Sequence, residues 1–113
     1  MRSLSKPASE MSAVITHRAG DMEDYTPGKV PGLVAELDAY VDDEHPDVSV
    51  SHDGGWTLSA FPSGLVVWEN LEEDGTPRHL LDVTRAHLVG LMTYCGEGQI
   101  DQLERLPWRE GYG

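Results

Sequence analysis

The sequence predicts an α+β fold: an antiparallel sheet of four to five strands in a meander, with two to three helices packed on one face. Three observations carry this. Between Val48 and Asn70, apolar and small polar residues follow strand-type patterns broken by short Gly- and Pro-containing connectors. On either side of that stretch, apolar residues recur at helical spacing. The strands come as a run followed by helices, which favours α+β over a βαβ architecture. At 113 residues, with 25 of them Leu, Ile, Val or Phe, the chain has material for one modest core, and a single domain is expected over residues 13–113.

Residues 1–12 are rich in Ser, contain Lys6-Pro7 and lack periodicity, so a disordered tail is expected there. Ala13 to His17 is short and β-prone, an edge-strand pattern. Arg18 to Gly28 reads as a loop, with Ala19-Gly20 and Thr26-Pro27-Gly28 as turn formers. Val30 to Val41 is the first helix. Val30, Leu33, Val34, Leu37 and Val41 share a face, and Pro31 suits the first turn, where its missing N–H is not needed. Pro46 stops it by disfavouring helical geometry at His45.

Strands follow at Val48 to Ser51, Trp56 to Phe61, Leu65 to Asn70 and Arg78 to Val83. Asp53-Gly54-Gly55 and Pro62-Ser63-Gly64 are connectors of hairpin type. Trp56 and Trp68 fall on neighbouring strands, and the turn register decides whether they share a face. Thr84 is placed to N-cap a helix from Arg85 to about Cys95, with Leu88, Leu91 and Met92 as its apolar stripe and Gly96 and Gly98 ending it. Gln99 to Leu106 reads as a third helix. Trp108, just beyond Pro107, is expected to pack back as a clasp.

Charge narrows the function. The net charge is −12, and its distribution is uneven. Residues 30–77 hold eleven acidic side chains and no Lys or Arg. Nucleic-acid binders neutralise phosphates with Lys and Arg, so no nucleic-acid partner is expected. The same surface repels anionic lipid. No run of apolar residues is long enough to span a bilayer, and Arg2 and Lys6 precede no apolar leader, so a cytoplasmic protein without membrane attachment is expected. An excess of carboxylate attracts a basic partner and speeds encounter at low salt. It also serves solubility alone in many small proteins.

The candidate chemistry is sparse. Asp42, Asp43, Glu44 and Asp47 form the densest set of oxygen donors. A twelve-residue calcium loop started at Asp42 places Asp47 where its sixth-position Gly belongs, so that pattern fails and no metal site is expected. Acids at a helix C-terminus also oppose the helix dipole, a hint that they serve something outside the helix. His17, His45, His52, His79 and His87 include no H-E-x-x-H pair. Cys95 stands alone, which rules out an intrachain disulfide or a cysteine zinc cage. It sits where the negative end of a helix disfavours thiolate. No G-x-S-x-G elbow or phosphate-binding loop is present, and no cofactor is expected. Trp56, Phe61, Trp68, Tyr94 and Trp108 are enough for an aromatic pocket but in a chain this small read as core.

The stretch Val48 to Trp68, followed by Asp82-Val83-Thr84-Arg85 and closed by Leu106-Pro107-Trp108, resembles a set of small acidic uncharacterised actinobacterial proteins. In size and charge the chain is also similar to immunity proteins of bacterial toxin systems. Neither likeness carries site residues over.

The function expected from sequence is that of a non-catalytic binding protein, immunity-like, antitoxin-like or regulatory. It would meet a basic protein partner through Asp42, Asp43, Glu44, Asp47, Glu72, Glu73 and Asp74. Two alternatives stand beside it. One is a small hydrolase or metal-dependent enzyme using His52, Asp53 and His79, and the other is a nucleic-acid mimic. An open sheet edge at Ala13 to His17 or Arg78 to Val83 would let the chain pair with a copy of itself.

Overall fold

The computed structural model describes residues 13–39, 47–72 and 77–112. The expected tail at 1–12 lies outside these residues, as do Asp42, Asp43, Glu44, Glu73 and Asp74. Seven strands form one antiparallel open sheet. They are β1 (Ala13–Thr16), β2 (Met22–Asp24), β3 (Val48–His52), β4 (Trp56–Ala60), β5 (Val66–Asn70), β6 (Arg78–Leu80) and β7 (Arg109–Glu110). Their spatial order is β2-β1-β3-β4-β5-β6-β7. Three helices complete the fold: α1 (Val30–Ala35), α2 (Arg85–Gly96) and α3 (Ile100–Glu104).

The sheet therefore has more strands than the four to five expected. The additional ones, β2 and β7, lie at its two margins. Met22-Glu23-Asp24 has none of the β-branched or aromatic residues that mark a strand. It becomes one because the ladder to β1 pairs Val14 with Asp24, Ile15 with Glu23 and Thr16 with Met22. Consequently β1 and β6 are not edges. On their outer sides β2 pairs with Val14 to Thr16 and β7 with Arg78 and His79, so the two spans expected as open edges are interior over those residues. β6 stops at Leu80 rather than Val83, and Asp82 turns the chain with φ of 57°, left-handed for a residue with a Cβ.

The first helix is also shorter than the apolar spacing suggests. α1 ends at Ala35, a 3-10 turn carries Glu36–Asp38, and Ala39 is extended. A buried arginine marks the stop. The guanidinium of Arg18, only 7% exposed, donates from Nη1 to the carbonyls of Glu36 (3.3 Å) and Ala39 (2.9 Å). The Glu36 carbonyl also accepts the Ala39 backbone N–H at 3.2 Å, so Arg18 adds a second donor there and a side-chain donor at the Ala39 carbonyl just past the turn. α2 begins as expected, with the His87 N–H donating to Thr84 Oγ1 at 3.1 Å. It ends at Gly96, where a Cβ would lie 2.1 Å from the Tyr25 ring, so only glycine admits that ring.

The strand register divides the sheet into two unlike faces. One face carries Ile15, Val50, Leu58 and Trp68 in a single cross-strand row, with Val48, Ala60 and Val66 beside it. These residues share one core with Val30, Leu33 and Val34 of α1, Leu88, Leu91, Met92 and Cys95 of α2, and Leu103 of α3. Trp68, fully buried, is its largest member. Its ring stacks on Trp56 with centroids 4.7 Å apart and on Trp108 at 6.2 Å, so the two strand tryptophans do share a face. Trp108 closes the stack as a clasp, its indole N–H donating to the Leu103 carbonyl at 2.6 Å. The Trp68 N–H donates to Glu104 Oε1 at 3.2 Å, which spares the core an unsatisfied polar atom.

Trp68→Ala should therefore cost about 3–5 kcal/mol of unfolding free energy, and Trp108→Ala, at the partly exposed end, clearly less. Urea denaturation measures both. Equal losses at the two positions would contradict the placement of Trp68 at the centre.

Candidate functional site

Of the carboxylates singled out in the sequence, Asp47 and Glu72 lie among the described residues. Asp47 precedes Val48, which pairs across the sheet with Ala60 and, through it, Val66. Glu72 follows Asn70, which pairs with Trp56. The two acids thus sit at opposite ends of strands about 17 Å long. At the Glu72 end, the β3–β4 hairpin brings Asp53 close. Gly55, with φ of 91°, packs so near Glu72 that a Cβ would come within 2.8 Å of its Cγ. Glu97 joins the same end, since Tyr25 follows β2 and its hydroxyl donates to Glu97 Oε2 at 3.0 Å. Burial, and then the Glu97 carboxylate, push the Tyr25 hydroxyl pKa upward and keep it neutral.

Four of the six described cations are engaged in structural contacts. Besides Arg18, Lys29 donates to Glu23, Arg78 pairs with Glu104 at 2.7 Å, and Arg85 grips both oxygens of Asp38 from Nε and Nη2. The Arg85 guanidinium holds the Asp38 carboxyl below the usual carboxylate range. Thus Asp38, inside the stretch that has no Lys or Arg of its own, receives a cation from α2. Arg105 and Arg109 remain on the exposed surface.

A second cluster escaped sequence reasoning. His17, just past β1, points Nδ1 at Glu36 Oε2 and Nε2 at Glu23 Oε2, both at 2.5 Å. The other Glu36 oxygen accepts the Arg18 backbone N–H at 3.0 Å. A neutral imidazole has one N–H, yet here both nitrogens face carboxylates, so the geometry calls for the imidazolium. The Glu36 hydrogen bond, opposed by partial burial and aided by Glu23, raises the His17 pKa above 6.5. Both ring nitrogens are engaged, which leaves no lone pair for a metal or for general-base work. The cluster is a latch that ties the β1–β2 hairpin to the end of α1. Two surface hollows, about 320 Å³ and about 470 Å³, border it and share His17 and Asp21. The only signal in the sequence was positional. Glu23 pairs with Ile15, two residues before His17, but that is visible only once β2 is known to be a strand.

The residues proposed for an enzyme do not converge. His52 lies on the helix side of the sheet, its ring against Gly98 and its Nδ1 3.1 Å from the Asp53 carbonyl. His79 lies on the opposite side, with Nδ1 3.0 Å from the Gly111 carbonyl. β4 and β5 separate their strands. Cys95 is fully buried, its thiol donating to the Val50 carbonyl at 3.4 Å, and burial pushes its pKa up to about 12. It is packing material, as its helical position implied. Among the described residues, no three His, Cys, Asp or Glu side chains are placed to hold one metal ion, and no helix is long and apolar enough to cross a membrane. Comparison with protein-family models, with curated proteins and with solved structures finds no match to this chain.

The latch has a defined pH signature. A histidine whose pKa is raised on folding adds stability that is complete below its unfolded value, about 6.5, and fades as pH rises through the folded value. The stability gap between the wild type and His17→Gln should therefore be widest below about pH 6.5 and narrow as pH rises above it. Thermal unfolding across that range measures it. A gap that stays constant with pH would show that His17 is not held as the imidazolium.

Proposed function

We propose that this chain is a non-catalytic binding protein that captures a basic protein partner through its carboxylates. The observation that carries this reading is the fate of its cations. Of the six described Lys and Arg residues, four, Arg18, Lys29, Arg78 and Arg85, are engaged within the chain, and Arg105 and Arg109 are exposed. Glu72, Asp24, Glu97 and Asp101 are exposed. The field that reaches an approaching molecule is therefore negative over much of the surface, and such a field raises association rates with basic partners.

The partner-facing residues are Asp42, Asp43, Glu44 and Asp47 in the connection from α1 to β3, and Glu72, Glu73 and Asp74 in the connection from β5 to β6. Asp47 and Glu72, the two of these that the structure describes, lie at opposite ends of the sheet. An immunity-like, antitoxin-like or regulatory role in a cytoplasmic setting fits this physics. The separation of His52 from His79 gives the enzyme alternative no comparable support.

Replacing Asp42, Asp43 and Glu44 with Asn, Asn and Gln should slow capture of a basic partner about tenfold at low salt while changing dissociation little. The companion set at Glu72, Glu73 and Asp74 should act additively if both ends make contact. Affinity capture at low ionic strength identifies the partner, and biosensor kinetics read the rates. Capture that is insensitive to both sets and to salt would overturn the proposal.

A further inference from the structure

The side of the sheet away from the helices has a different character from the rest of the surface. On β1, β3 and β4 it presents Val14, Thr16, Ser49, Ser51, Thr57 and Ser59. On β5 it continues with Val67, which is buried yet belongs to no part of the helix-side core. In a chain of net charge −12, none of these positions is charged. Asp24 on β2 and Arg109 on β7 stand at the margins of this face, and Glu69 on β5, the cross-strand neighbour of Thr57, is the charged group within it. Three of the four exposed large apolar side chains also border this face: Met22 (68% exposed), Leu71 (66%) and Tyr112 (61%). After β7 the chain folds back over β6. The His79 ring meets the Gly111 carbonyl, and the Tyr112 hydroxyl donates to Glu69 Oε1 at 2.8 Å. Tyr112 thus stands as a knob over β5 and β6. Across the face is a hollow of about 290 Å³ whose lining includes Val14, Ser51, Thr57 and Leu71.

We propose that this face is a self-association surface on which two copies of the chain pack as a two-fold dimer, Tyr112 of each seated in its partner's hollow at Val14, Ser51, Thr57 and Leu71. The strand order supports a second copy as the occupant. β4 is the middle strand of seven. A two-fold axis above β4 and parallel to it lays β5 and β6 of one protomer over β3 and β1 of its partner, which brings knob to hollow twice. The same rotation brings Arg109 of the β7 margin over Met22 of the β2 margin, one residue pair along the strand from Asp24 and within reach of so long a side chain. Small Ser and Thr side chains let two such sheets approach closely. Six inter-strand spacings of about 4.8 Å and strands of up to about 17 Å give a face of roughly 400–500 Å² in projection. That is below the usual figure of about 800 Å² per partner, so a reversible dimer is expected, not an obligate one.

The test reads differently from capture of a basic partner, because salt acts with opposite sign. Two protomers of like charge repel, so self-association strengthens as salt screens them, whereas attraction to a basic partner weakens. Sedimentation equilibrium of the full chain over a wide concentration range, at low and high salt, should show a monomer–dimer equilibrium shifted towards dimer by salt. Tyr112→Ala removes an exposed side chain whose loss leaves the core untouched. It should weaken dimerisation about 100-fold, two knobs at about tenfold each. Ser51→Arg, which plugs the hollow, should leave a folded monomer by circular dichroism. A wild type that stays monomeric at every concentration and salt would overturn the proposal. So would a dimer of unchanged strength in folded Tyr112→Ala and Ser51→Arg, or a dimer dissolved by salt.

Discussion

A chain with twenty acidic and eight basic side chains has to hold its segments together against its own repulsion, and this constraint organises the structure. Several of the cations sit where distant segments meet. Arg85 reaches Asp38 from 47 residues away, and Arg18 spans 21 residues to the Ala39 carbonyl. Arg78 fastens β6 to α3 through Glu104, which also receives the Trp68 N–H. Exposed pairs of this kind contribute about 0–1 kcal/mol each, so the apolar core supplies most of the stability and the pairs supply register. Arg18 differs because it is buried, and its guanidinium must find carbonyls or leave donors unsatisfied. It finds them at the end of the first helix, and that requirement sets where the helix stops.

The same constraint separates the two faces of the sheet. All three helices bring their apolar residues to one side, around Trp68. The charge excess goes to turns, helix ends and connections. On the far side small uncharged residues fill β1, β3 and β4, while Asp24, Glu69 and Arg109 on β2, β5 and β7 carry its charge.

Much of this organisation was legible in the chain. Periodicity placed β3, β4, β5 and α2, the Thr84 cap fixed the start of α2, and the position of Trp108 after Pro107 foretold its return to the core. The remainder depended on contacts far apart in sequence. β2 and β7 have weak intrinsic strand character and exist through pairing with β1 and β6. The helix expected to reach Val41 stops early because of Arg18, a residue from another element. The His17 latch joins residues 6 and 19 positions apart, and no local pattern encodes it. Asp47 and Glu72 belong to one acid-rich stretch of sequence, whereas a strand of five residues carries its two ends to opposite sides of the sheet.

The margins of the sheet have a consequence for how the molecule behaves when crowded. β2 and β7 offer three and two residues respectively. Such stubs are poor templates for another backbone, so open-ended growth by strand addition lacks a foothold.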